Sequence, residues 1–179
     1  SLARASAYSE RIDADLGGTE ILTPLRAILE RAPDPERPRR VLLLTDGQVS
    51  NEDQVIAHAK AHAGTARVFT FGIGAGASAH LVRGVARASR AATEMIYPGE
   101  RIEPKVLRMF ARVRTPALDD VRVDGGGLSV EAAPGRTPPV FAGDALTVFA
   151  RITAGDANEV ALQTGERRWA VPLDLERAE

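Results

Sequence analysis

The sequence predicts an α/β fold: part of a parallel sheet flanked by helices, followed by a smaller antiparallel β-sandwich-like region. Three observations predict it. From Arg40 to about Tyr97, short apolar runs alternate with longer helical patterns, and strand–helix–strand repeats of this length form parallel crossover units. Val41-Leu42-Leu43-Leu44 is a continuous apolar run, as expected of a strand buried on both faces. After Thr115-Pro116 the pattern changes to a period of two, broken by glycine-rich turns, which indicates antiparallel strands with one face buried. The chain therefore divides into 1–115 and 116–179.

Two helical patterns come first, joined by Gly17-Gly18. Residues 1–14 are weakly amphipathic, whereas 20–32 align Ile21, Leu25, Ile28 and Leu29. Pro24 is tolerated because the first helical turn has unpaired N–H groups in any case. Pro33, Pro35 and Pro38 mark an exposed turn before the first strand. Asn51 is placed to cap a helix with the stripe Val55, Ile56, Ala59 and Ala63. Val68–Phe71 is the second strand, Ser78 caps the helix carrying Leu81, Val82, Val85 and Ala86, and Glu94–Tyr97 is the third strand. A helix over about 102–113 follows, with Ile102, Val106, Leu107 and Phe110 as its apolar stripe. Beyond it, alternating segments at Val121, Leu128, Leu146, Val160 and Trp169 are separated by turns such as Gly125-Gly126-Gly127 and Gly155-Asp156.

Lys and Arg number 23 against 24 Asp and Glu, so no net field favours nucleic acid or anionic lipid. The longest apolar runs are far too short for a membrane-spanning helix. With no cysteine, disulfides and thiolate chemistry are excluded. Ser1 is not a native start, and the sequence assigns no compartment.

Thr45-Asp46-Gly47 follows the most apolar strand directly. In open α/β sheets, ligands bind beyond the carboxyl ends of strands. An aspartate there, beside a glycine that lets the chain turn, can aim an oxygen into that crevice; the plainer role for Asp46 is shaping the turn. In Gly17-Gly18-Thr19-Glu20 the Thr19 hydroxyl stands at a helix start, where its plainer role is capping, with Glu20 favouring the helix dipole.

Together, Ala14–Ile21, Leu44–Val49 and Phe69–Gly74 resemble the second half of a von Willebrand factor A (vWA) domain. Tyr97–Lys105 is similar to the inter-alpha-trypsin-inhibitor heavy-chain-like (VIT/vWA) subgroup. The match covers about residues 14–113. The resemblance implies a Rossmann-like sheet with a metal-ion-dependent adhesion site at its top, where a partner Asp or Glu completes the shell of a Mg²⁺ or Mn²⁺ ion. By that likeness Thr19 belongs to the second metal loop and Asp46 to the third, with Gly18 and Gln48 shaping the rim. The first loop of the family, Asp-x-Ser-x-Ser, occurs nowhere in the chain. Mg²⁺ takes about six oxygen ligands, so this polypeptide alone is expected to hold metal weakly or not at all. The family sheet would also continue past Val41–Leu44, so strand 41–45 is expected to be covered by an upstream fragment, a second copy or a rearranged element.

The chain thus reads as an adhesion module and not an enzyme. Two readings compete. Gly72-Ile-Gly74-Ala-Gly76 follows a strand and precedes a helix, as in a small nucleotide-binding domain, but no ribose-binding acid ends the next strand. The other reading is a purely structural fragment. His58 and His62 share one helical face, as zinc ligands do, without an evident third ligand; a solvated polar face is the expected state. Arg83, Arg87, Arg90, Arg108 and Arg112 are expected to run along the surface.

Overall fold

The computed structural model describes residues 2–12 and 20–173. In chain order the first region holds α1 (Leu2–Ser9), α2 (Leu22–Leu29), β1 (Arg39–Thr45), α3 (Glu52–Ala61), β2 (Ala66–Ile73), α4 (Ala79–Ala88), β3 (Thr93–Ile96) and α5 (Ile102–Arg114). The strands form one sheet in the order β1-β2-β3, parallel throughout, with Val41 beside Val68 and Phe71 beside Glu94. The α/β fold predicted from the alternating runs is present.

Strand β2 is the central strand, and its residues Val68, Phe69 and Phe71 are almost fully buried. Alternation of side chains sends Val68 to one face and Phe69 and Phe71 to the other. On the first face Val68 meets Leu25 and Leu29 of α2, Val55 and Ala59 of α3, and Leu81 and Val85 of α4. On the second, Phe69 and Phe71 meet Ile96, Met109 of α5, and Phe141 from the following region.

Two buried hydroxyls inside this core find backbone partners. Thr70 Oγ1 donates to the Val82 carbonyl at 2.8 Å, and Ser89 Oγ accepts from the Val68 N–H at 2.9 Å. Both bonds tie α4 to β2, as buried hydroxyls require. Arg39, at the start of β1, donates to the carbonyls of Leu29, Arg31 and Ala32. It thereby satisfies acceptors that the end of α2 leaves open.

Three local expectations are corrected. Asn51 stands at the helix start but makes no side-chain capping bond; its carbonyl alone accepts from Gln54 and Val55. The stripe of α5 is rotated: Met109 is buried, with Val106 and Val113 beside it, while Ile102, Leu107 and Phe110 are exposed. Spacing alone could not decide between these faces, because apolar residues lie on both. Strand β1, expected to be buried on both faces, is only half-buried at Val41, Leu42 and Leu43 and exposed at Leu44, because it pairs with β2 alone among the described strands and so lies at the sheet edge.

The second region contains β4 (Arg122–Asp124), β5 (Leu128–Ala133), β6 (Phe149–Gly155), β7 (Glu159–Thr164) and β8 (Arg167–Pro172). They form two small antiparallel sheets, β4-β7-β8 and β5-β6. The expected single buried face is not general: β6 and β8 are exposed along their whole length. Among the described residues each pairs on one side only.

Candidate functional site

At the carboxyl end of β1 the chain leaves the sheet through Thr45-Asp46-Gly47. Thr45 is buried, and its Oγ1 accepts from the Gly47 N–H at 3.3 Å. That bond folds the loop back and leaves Asp46 exposed. The neighbouring loop after β2 is stitched to it: the Ser78 N–H donates to the Gly47 carbonyl at 3.3 Å. Gly76 lies so close that a Cβ there would stand 3.0 Å from the Asp46 carbonyl oxygen.

Asp46 lines a groove of about 310 Å³ running along β1, whose other wall is Glu20, Ile21, Pro24, Leu25 and Ile28. Gln48 lies elsewhere. It lines a second, polar cleft of about 680 Å³ between the starts of α3 and α4, with Asn51, Glu52, Asp53, Ser78 and His80. There Ser78 Oγ donates to Glu52 Oε2 at 2.8 Å and accepts from the Leu81 N–H at 3.2 Å, so Ser78 caps α4 as predicted. His80 Nε2 stands 3.0 Å from Asp53 Oδ1. Asp46 and Gln48 therefore flank two adjacent clefts on one edge of the sheet. Gly18 and Thr19 lie outside the described residues.

Among the described residues, no group of three or more His, Cys, Asp or Glu side chains could hold a metal ion. His58 and His62 do come together, ring centroids 4.5 Å apart, without a third ligand. Their predicted solvation is corrected for His58, whose side chain is only 13% exposed.

The glycines of Gly72-Ile-Gly74-Ala-Gly76 have packing reasons. A Cβ on Gly72 would stand 2.6 Å from the Met95 sulfur, and Gly76 admits the Asp46 backbone. Gly74 has φ +81°, a conformation glycine adopts without strain.

Of the arginines expected on the surface, Arg90 and Arg112 are largely buried in ion pairs, whereas Arg108 is exposed and ion-paired. Arg90 donates twice to Asp119 Oδ1 at 3.2 Å, and Arg67 pairs with the other Asp119 oxygen. Arg112 bridges Glu94 Oε1 and Asp144 Oδ1, each at 2.7 Å, and Arg108 joins Glu94 at 2.6 Å. Burial pushes the Glu94 carboxyl up, but Arg108 and Arg112 outweigh it and hold that group below its usual range.

Sequence reasoning missed Glu20 as a groove residue. Its carboxylate accepts from the Thr23 N–H at 3.1 Å, a bond in the first turn of α2. An acid next to a helix start was the available signal. Asp119 and Asp144 gave none, since their partners lie 29 to 52 residues away in sequence.

Comparison with known proteins adds the following. The von Willebrand factor type A domain family matches residues 1–94. A von Willebrand factor A domain-containing protein of Dictyostelium discoideum is 40% identical over 153 residues, 85% of this chain and 16% of the relative. The von Willebrand factor A domain-containing protein 5A of Rattus norvegicus is 40% identical over 147 residues, 80% of this chain and 18% of its own length. Protein 5B1 of the same description in Homo sapiens is 36% identical over 124 residues, 69% of this chain and 10% of its own. The chain thus spans less than a fifth of the relatives it matches. No helix among the described residues is long and apolar enough to cross a membrane.

Proposed function

This chain belongs to the von Willebrand factor type A domain family, and from that membership we propose that it is a protein-interaction module whose contact surface is the carboxyl edge of its parallel sheet. Domains of this family are generally interaction modules without enzymatic activity, and many bind a divalent metal. The observation that carries the reading here is Asp46: an exposed carboxylate at the carboxyl end of the parallel strand β1, beside an open groove. Ligands of open α/β sheets bind at this edge.

In this reading Thr19 and Asp46 are two oxygen donors of a cation cradle that the intact parent completes with its first loop, Gly18 and Gln48 shaping the rim. A partner Asp or Glu is the complementary chemistry. Two donors fall well short of about six, so this chain alone holds Mg²⁺ or Mn²⁺ weakly or not at all. Strand β1 pairs only with β2 among the described strands. Its outer edge, with Leu44 56% exposed, invites a further strand from the parent or a second copy.

The test has two arms. Calorimetric titration of the chain with Mg²⁺ and with Mn²⁺ is expected to give no low-micromolar binding; such binding would refute the incomplete-cradle reading. In the intact parent, Asp46→Ala is expected to abolish Mg²⁺-dependent capture of proteins from an extract. Capture identical to that of the unaltered parent would sink the assignment of Asp46.

A further inference from the structure

Helix α2 lies against α3 through Leu25 and Leu29 on one side and Val55 and Ala59 on the other. A histidine flanks this apolar contact. His58 Nε2 is buried and has no hydrogen-bond partner. Glu30 Oε1, at the end of α2, stands 4.0 Å from it, beyond hydrogen-bond reach. The His62 ring packs against it on α3, with Nδ1 of His62 3.0 Å from the His58 carbonyl. A neutral imidazole tolerates such a place. An imidazolium there would have its Nε2 shut off from solvent, with only the distant Glu30 carboxylate to offset its charge.

We infer that His58 is an acid-sensitive latch, which holds α2 on α3 while its imidazole is neutral and loosens α2 when it takes up a proton. The groups that act on it are Glu30 and Arg26 from α2 and His62 from its own helix. Burial holds its pKa below the ordinary 6.5; His62 and Arg26 push the same way and Glu30 opposes them. The sign follows from proton linkage. With the folded value below the unfolded one, the opened chain binds more protons between the two. Stability conferred by the docked helix is therefore full above 6.5, falls as pH drops through that value, and reaches its floor below the folded pKa. Because Pro24 and Ile28 of α2 wall the groove beside Asp46, loosening this helix widens that groove. The inference stands whether or not the groove receives a partner.

Hydrogen exchange of α2 backbone amides, corrected for intrinsic rate, tests it at about pH 7 and about pH 5. The expected result is a loss of α2 protection on acidification in the unaltered chain, a much smaller loss in His58→Leu, and a larger one in Glu30→Gln. Equal losses in the unaltered chain and His58→Leu would overturn the latch. Should His58→Leu fail to fold, an NMR titration of His58 in the unaltered chain decides: a midpoint below 6.5 supports the latch, and one at or above it refutes it.

Discussion

The two regions of this molecule bury their strands to opposite extents. Val68 and Phe69 of β2 are at most 1% exposed, whereas Phe149 of β6 is 74% exposed and Val171 of β8 is 56% exposed. Strand β2 has a neighbour on each edge and an apolar cluster on each face. Among the described residues, strands β6 and β8 each have one neighbour and no buried residue. Burial in the first region is thus imposed by topology, because crossover helices cover a parallel sheet. In the second it depends on a few anchors, chiefly Phe141, whose ring lies 5.7 Å from that of Phe69.

Exchanging the two rings tests that contrast most strongly. Phe69→Ala removes a ring from the centre of the sheet and should cost about 3–5 kcal/mol, as large-to-small core changes do. Phe141→Ala, 4% exposed at the junction, should cost somewhat less than Phe69→Ala, and its effect should be uneven. Urea unfolding followed by hydrogen exchange should show the strands after residue 120 losing protection before β2. If both variants unfold as one cooperative unit with equal loss, the second region is as integral to the core as β2.

A smaller effect is expected at the charged clamp. Asp119 joins Arg67 and Arg90, and Thr164 Oγ1 donates to its carbonyl at 2.7 Å. Asp119→Ala leaves Arg67 without its carboxylate and Arg90 with Asp120 alone, at 3.6 Å, and should cost about 1–2 kcal/mol, less than a fully buried pair because the site is partly solvated. The loss should shrink in high salt. A loss unchanged by salt in thermal unfolding would mean that Asp119 acts through backbone geometry and not through charge.

What could be read from residues alone follows the same division. Strand β1 was legible as a strand in its unbroken apolar run, but its half-exposed outer edge was not; α4 was legible in Ser78 and the stripe Leu81-Val82-Val85-Ala86, because there one periodic face coincides with one buried face. Helix α5 was not, since Leu107 and Phe110 match the helical period as well as Met109 does, and only the position of Phe71 and Phe141 selects Met109. The location of Asp46 beside a groove was legible because strand ends in an α/β sheet are where side chains meet a crevice. Glu20 and His58 required tertiary neighbours: one gains meaning from the groove wall it shares with Asp46, the other from a ring nitrogen that the fold leaves unbonded. The ion pairs of Asp119 and Asp144 depend on contacts that cross from one region to the other, which periodicity cannot encode.

The smallest expected effect concerns Trp169, paired with Leu162 across β8 and β7 and 47% exposed. Large aromatics usually dominate the energetics of whatever they pack into, so a tryptophan that stabilises little is itself informative. With no strand beyond β8 in its sheet among the described residues, Trp169→Ala should change stability by no more than about 0.5 kcal/mol, the range of surface substitutions. Equilibrium unfolding at low and high protein concentration distinguishes the alternatives. A loss well above that range at both concentrations would mean that the ring is packed within the monomer; a loss that grows with concentration would mean that a second copy covers it. Either result would erase the contrast between the two regions, because β8 would then be held as β2 is, by burial on both sides.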